Sequence, residues 1–152
     1  MIKRCALIPY FGLGALLDPT RGDLVAGLGD ITAERALKLI QTRMDRNCEG
    51  RRLLREKPYI TQLTLNPIKL SRLPEGSLGF EYYHYMREHG FNADERTPVR
   101  FIQDPDLKYI MTRYRQVHDF WHVLCKLPPD VMGEIALKWH VYTLYLYIKR
   151  TS

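Results

Sequence analysis

The chain has 152 residues, of which 45% are hydrophobic and 26% are charged, and its formal net charge is +6. This is one domain's worth of sequence, long enough to bury a core, and its composition is ordinary for a globular protein. Cys5, Cys48 and Cys125 are odd in number and lack paired spacing, which argues against a disulfide scaffold and a cysteine-type zinc site and favours a reducing compartment.

The first segment, residues 1–17, contains two basic residues and no acidic one, and its apolar run is too short to span a bilayer. Such a segment fits either the remnant of a mitochondrial presequence or the first short helix of the domain. A turn over residues 18–23 then precedes a segment in which Gly27 and Gly29 predict close helix packing.

Two helices with many basic side chains are predicted next. Thr32 is expected to cap the first, and the second runs from Glu49 to Lys57 ahead of Pro58. Basic surfaces attract nucleic acid, anionic membranes or acidic ligands. Because no nucleic-acid-binding module is recognisable, we predict no nucleic-acid partner and favour a membrane surface or an anionic ligand, with a merely solvated face as the leading alternative. The apolar stripe of the helix that follows Thr32 consists of Ala33, Ala36, Leu37, Ile40 and Met44.

The segment from Tyr59 to Leu73 alternates only weakly between polar and apolar residues, so it is predicted as an extended loop with at most one brief strand. An aromatic-rich helix follows between its expected N-cap, Ser77, and Gly90. The two histidines of that helix are off a common face and are expected at the surface. Residues 91–103 form a polar connector.

The residues that carry chemistry lie between 104 and 139. Asp104-Pro105 predicts the start of a helix, and its apolar residues recur at steps of three and four, which indicates one buried face. His118 and His122 lie within that stripe, about 6 Å apart along the axis and rotated by ~40°. The stripe consists of Leu107, Ile110, Met111, Tyr114, Val117, Trp121, Leu124 and Cys125.

A proline pair at 128–129 ends this helix, and Asp130 is expected to cap a second helix that carries Glu134. On one straight helix Glu134 would lie roughly 18 to 24 Å from the two histidines, whereas a proline corner folds it back toward them. Imidazole and carboxylate ligands suit zinc, and also iron or manganese. We therefore predict a metal site at this corner.

Asp119 stands beside the first histidine, one step (~100°) round the helix, and reaches the same point only from the side. Zinc proteases of the His-Glu-x-x-His type place a glutamate there as general base, and the shorter aspartate argues against protease chemistry. Taken singly, the histidines could be core residues and Glu134 a solvated helix residue. Unpaired polar groups on a buried stripe are costly, which favours a metal site over coincidence.

The last segment, residues 140–152, is an apolar, tyrosine-rich tail that is too short to cross a membrane. It is expected either to extend the helix of Glu134 or to lie at a membrane interface. The whole chain is predicted to be all-α, a single irregular helical domain. Its metal-binding part covers residues 18–139.

The pattern His118-Asp119-x-x-His122, then eleven residues and Glu134, resembles the metal motif of the fourth coenzyme-Q (ubiquinone) biosynthesis protein family. The resemblance implies that these four residues are ligands of zinc, or of another divalent metal, and act in catalysis through it. Members of that family continue beyond the motif, so this chain is expected to be C-terminally shortened. Three further stretches carry the resemblance: Leu17–Asp23 with Leu28–Asp30, Leu73–Gly79, and Gly133–Trp139.

The resemblance further implies a peripheral protein on the matrix side of the mitochondrial inner membrane, within the complex of proteins that modifies the ubiquinone head group. The implied reaction is that of a carbon–carbon lyase, the C1 decarboxylation of a polyprenyl-4-hydroxybenzoate-type ring, in one variant oxidative. A dication can hold an aromatic carboxylate or phenolate and stabilise the developing charge. The prenyl chain would need an apolar groove. Prenyl length and a homodimer are left open.

Two other functions compete with the lyase. In the first, the protein is a non-catalytic organiser that binds lipid and partner enzymes, and the metal is only structural. In the second, the adjacent His-Asp pair marks a metal-dependent phosphohydrolase. That superfamily usually needs further His and Asp residues on other helices, and the sequence shows no such set.

Overall fold

A computed structural model describes residues 2–18 and 20–151, with side chains for residues 6–18, 20–141 and 143. All regular structure in these ranges is helical, which confirms the all-α prediction. No helix in them is both long and apolar enough to span a membrane. The helices are α1 (Ile2–Leu17), α2 (Gly22–Thr32), α3 (Glu34–Arg46), α4 (Cys48–Glu56), α5 (Gln62–Leu65), α6 (Pro67–Leu70), α7 (Leu78–Glu88), α8 (Pro105–Cys125) and α9 (Val131–Thr151).

The contacts divide the chain into two compact units. The first comprises Met1–Thr64 and Ala93–Gln116, and the second comprises Leu65–Asn92 and Val117–Ser152. Helix α8 supplies its first half to the first unit and its second half to the second, so one apolar stripe does not describe its buried face. Leu107, Ile110 and Met111 are buried as predicted, whereas Tyr114 and Leu124 of the same stripe are exposed.

Within the first unit, α1 packs closely on α2. A Cβ atom added to Gly27 would lie 2.5 Å from the ring of Phe11, and one added to Gly14 would lie 2.8 Å from Leu24. The predicted close packing is therefore confirmed at Gly27, because a larger residue there would push the aromatic ring away. Gly29 leaves ordinary space, 3.7 Å, to Met111.

The core of the first unit contains a buried ion pair. Arg115 donates hydrogen bonds to Asp30 Oδ1 at 2.7 Å and to the carbonyl oxygens of Ala26 at 2.9 Å and Thr97 at 2.7 Å. The other oxygen of Asp30 accepts from the backbone N–H of Arg100 at 2.8 Å. This pair joins α2, α8 and the connector before α8. The surrounding apolar core consists of Leu37, Val99, Ile102, Leu107, Tyr109, Ile110 and Met111.

The predicted cap at Thr32 is wrong. Thr32 is the last residue of α2, and its hydroxyl donates to the carbonyl of Leu28 at 2.8 Å. A turn at Ala33 alone separates α2 from α3, so Thr32 is used by the preceding helix. The predicted stripe on α3 holds only in part, because Leu37 is buried whereas Ile40 is exposed.

The segment from Tyr59 to Leu73 contains the short helices α5 and α6. The prediction of an extended loop with at most one brief strand is therefore wrong. Asn66 at positive φ caps α6 through its side chain, and Pro67 occupies the first turn, where its missing N–H costs nothing. The connector over residues 91–103 is not simply polar, because Ala93, Val99 and Ile102 are buried in it.

In the second unit, α7 begins at its predicted cap, because Ser77 Oγ accepts from the N–H of Phe80 at 3.4 Å. Gly90 follows the helix at φ +66°, a left-handed conformation that favours glycine. Tyr82 of α7 is buried and stacks on Phe120 of α8, with ring centroids 4.1 Å apart. This stack holds α7 against the part of α8 that carries the predicted ligands.

Candidate metal centre

The predicted corner between α8 and α9 is present in the second unit. Helix α8 ends at Cys125, and Lys126 adopts a left-handed conformation with φ 51°. Asp130 Oδ1 accepts from the N–H of Gly133 at 2.7 Å, which confirms Asp130 as the cap of α9. The turn is tight, because a Cβ atom added to Gly133 would overlap the carbonyl oxygen of Pro128.

Replacing Gly133 by alanine is expected to open this corner. The overlapping atom belongs to the backbone, so the strain cannot be relieved by a side-chain rotation, and we expect a loss of about 2 kcal/mol or more, or roughly 4–8 °C in the thermal midpoint. The measurements are the midpoint of thermal unfolding and the affinity for added zinc, and both should fall. Gly12→Ala is the matched control, because nothing lies within 4 Å of its added Cβ atom. Equal midpoints for the two variants would contradict the tight corner.

The corner brings three of the four predicted ligands together. His118 Nε2 lies 3.0 Å from Glu134 Oε1, His122 Nε2 lies 3.1 Å from the same oxygen, and the two Nε2 atoms are 3.1 Å apart. These three residues form the group of possible metal ligands found in the described part of the chain, with all ligand atoms within 4.8 Å of one another. Asp119 is not in that group, so its role as a ligand stays a prediction.

The backbone of the corner orients His122. Its Nδ1 lies 3.1 Å from the carbonyl oxygen of Leu127, and since a carbonyl only accepts, Nδ1 must carry a proton. In the neutral ring Nε2 then presents its lone pair to Glu134 Oε1 and to His118. Hydrogen-bonding one imidazole nitrogen to a carbonyl so that the other faces a cation is the usual support of a histidine ligand.

The carboxylate of Glu134 divides its two oxygens between different partners. Oε1 faces the imidazoles, while Oε2 accepts a hydrogen bond from Lys138 Nζ at 2.9 Å. The hydrogen bond with His118, followed by the contact with Lys138, holds the pKa of the Glu134 carboxyl well below its usual range, although burial acts in the opposite direction. The carboxylate is therefore ionised at neutral pH and offers one oxygen to a cation.

The three ligand atoms fit a divalent metal. Zinc bonded at about 2.0–2.1 Å to tetrahedral ligands separates them by roughly 3.3 Å, close to the 3.0–3.1 Å observed between these atoms. A lone pair of His122 facing a carboxylate oxygen is repulsive unless a proton or a cation lies between them. The distances between the three atoms thus suit a bound metal, and a positive charge between them would remove the repulsion.

Two residues near the centre were not predicted from the sequence. The ring of Tyr85 on α7 stacks against His122, with centroids 6.0 Å apart, and burial raises the pKa of its phenol, as do the negative charges of Asp119 and Glu134. Lys138 contacts Glu134 directly. The four-residue spacing from Glu134 to Lys138 is a helical ion-pair signal that could have identified Lys138. The sequence contains no comparable signal for Tyr85, because Tyr85 and His122 lie on different helices, α7 and α8.

Comparison with known proteins gives a consistent result. The chain matches the family profile described as coenzyme Q (ubiquinone) biosynthesis protein Coq4 over residues 1–147. It is 42% identical over 138 residues to the ubiquinone biosynthesis protein COQ4 homolog 2, mitochondrial, of Culex quinquefasciatus, covering 91% of this chain and 62% of that protein. It is 45% identical over 125 residues to the mitochondrial COQ4 homolog of Homo sapiens, covering 82% and 47%. The chain spans about half the length of the curated relatives it matches.

Proposed function

Because the chain belongs to the coenzyme Q (ubiquinone) biosynthesis protein Coq4 family, we propose that it acts in ubiquinone biosynthesis as a metal-dependent carbon–carbon lyase. The observation that carries this proposal is the triangle of His118, His122 and Glu134. A metal held by these three residues keeps an open coordination position for substrate, as in catalytic zinc sites. Asp119 is proposed as an additional ligand from the side of α8, and five-coordination would accommodate it.

The proposed reaction is removal of the C1 carboxylate from a polyprenyl-4-hydroxybenzoate-type ring. The bond between C1 and the carboxylate carbon breaks, carbon dioxide leaves, and the electron pair left on C1 takes up a proton. A bound dication, zinc or another divalent metal, would supply stabilisation of the negative charge that develops on the ring and its oxygen. His122, fixed by the Leu127 carbonyl, and Glu134, fixed by Lys138, would hold the dication in place beside the ring.

The surface of α9 beside the centre suits an apolar substrate tail and a membrane surface. Met132, Ile135 and Trp139 are 72%, 56% and 68% exposed and recur at steps of three and four, so they share one side of the helix. Trp favours the boundary between water and lipid. The relatives are named as mitochondrial, which supports a mitochondrial protein. We further propose that it is a peripheral protein at the matrix side of the inner membrane, in the complex of ubiquinone-synthesis enzymes.

The second candidate function is a non-catalytic organiser of that complex. The same exposed apolar side of α9 favours it, because such a surface also suits contact with a partner protein. In that case the metal only fastens the corner between α8 and α9. The two functions differ in what happens when the metal is lost.

Glu134→Ala and Glu134→Gln distinguish the two functions. Removing the charged ligand should lower the decarboxylation rate by about 100-fold or more, because the metal that would stabilise the developing negative charge is then held poorly or lost. The variants are introduced into cells that lack the native protein, and head-group decarboxylation and recovery of the complex are measured together. Lost chemistry with an intact complex supports the lyase, whereas loss of the complex in parallel supports the organiser. Glu88→Gln, an exposed position on α7, is the matched control.

A further inference from the structure

The side chains at the metal centre differ in their exposure to solvent. The side chain of His122 is 1% exposed, that of His118 19%, that of Glu134 33% and that of Lys138 55%. Exposure therefore increases from the buried imidazole toward α9. Lys138 is thus the most exposed of these four side chains and lies at the solvent-facing edge of the centre.

Lys138 has further hydrogen-bonding capacity at this edge. Its ammonium group carries three donors, and the contact observed is with Glu134 Oε2 at 2.9 Å. One carboxylate group thus separates the ammonium from the imidazole nitrogens, which fixes a positive charge at the edge of the centre. An exposed pair of this kind adds little to stability, so stability alone does not account for its place.

The charges at the centre favour an anionic ligand. With a dication bound, two neutral imidazoles and the Glu134 carboxylate would together carry one positive charge, and Lys138 would add a second. Asp119, whose charge acts on the nearby Tyr85, offsets one of them. The remaining positive charge is fixed by Lys138, because without its ammonium group the sum would be zero.

We propose that Lys138 is an anion-binding residue of this centre, which contacts the carboxylate of a ligand held at the metal. The inference rests on the proposed function, since it assumes a metal at His118, His122 and Glu134. It adds that recognition of the acidic group depends on a side chain that is not itself a metal ligand. Charge-assisted hydrogen bonds to carboxylates are about twice as strong as neutral ones.

The test measures binding of benzoate to zinc-loaded protein by calorimetry, at a zinc concentration that saturates every variant. Lys138→Met removes the charge and keeps the bulk, and we expect the Kd for benzoate to rise about 5- to 20-fold. Lys138→Arg should restore the wild-type Kd to within about 3-fold. Added salt should weaken binding more in the wild type than in Lys138→Met, because a charge contact is screened. Lys69→Met, at an exposed position on α6, is the matched control.

The outcomes separate this inference from the function on which it rests. Equal benzoate affinity in wild type and Lys138→Met, or an equal loss in Lys69→Met, overturns the role of Lys138. Wild-type protein that binds zinc but no benzoate overturns the anion site and leaves the metal centre standing. Wild-type protein that binds no zinc overturns both.

Discussion

His118→Ala is expected to lose at least about 100-fold in zinc affinity. Changes in groups that merely support a ligand cost about 10- to 100-fold, and this substitution removes one of three ligand atoms that lie 3.0–3.1 Å from one another. His118 is the better histidine to replace, because the side chain of His122 is almost fully buried and its loss would also leave a cavity. The measurements are metal content after gel filtration and zinc competition with a chromophoric chelator.

His140→Ala is the matched control for this result. His140 is exposed and lies on the same helix as Glu134, and its substitution removes an identical side chain. The control should keep its zinc, and circular dichroism should show the same helix content in both variants. Equal zinc content in His118→Ala and the wild type would remove the proposed centre altogether, and with it the lyase.

Asp30→Ala is expected to cause the largest loss of stability. The Asp30 side chain is 2% exposed and that of its partner Arg115 is 15% exposed. Removing one member of a buried pair typically costs 3–5 kcal/mol, because the other charge stays buried without its counter-ion. Burial already lowers the pKa of Arg115, and the contact with Asp30 opposes that effect. Chemical denaturation should show the loss.

Two further variants identify the origin of that loss. Asp30→Asn keeps the shape and an acceptor for the N–H of Arg100. Its loss of stability should be smaller than that of Asp30→Ala and measures the contribution of the charge. Asp23→Ala breaks the pair between Arg21 and Asp23 at the start of the same helix, which lies at the surface with both side chains 54% exposed. Little change is expected there, because exposed pairs are screened by solvent. A loss in Asp23→Ala as large as in Asp30→Ala would refute the argument from burial.

Asp30 shows how a motif can be identified in the sequence while its physical role is not. It belongs to the stretch Leu28–Asp30, which carried part of the family resemblance, and the sequence offered no reason for the carboxylate. The structure supplies one, a pair with Arg115 at a distance of 85 residues along the chain. A contact of that separation leaves no periodic signal in either segment.

At the metal centre, too, some features could be predicted from the sequence and others could not. Ser77, Asp104 and Asp130 act as caps where the sequence predicted them. The two histidines share one side of α8, with their Nε2 atoms 3.1 Å apart. These features depend on residues within a few positions of one another, so the local pattern contains them. The prediction at Thr32 failed because two helices compete for that residue, and the local pattern did not show which helix would use it.

The sequence by itself determined the all-helical class, the corner after α8 and the choice of His118, His122 and Glu134, because each follows from helical periodicity, capping residues and proline chemistry. Only the tertiary structure decided that Nδ1 of His122 is held by the Leu127 carbonyl, that Lys138 takes the second oxygen of Glu134, and that Asp119 lies outside the triangle. Those outcomes depend on the angle at which two helices meet. The close approach of Gly133 to the Pro128 carbonyl is one constraint on that angle, because no Cβ atom fits between them.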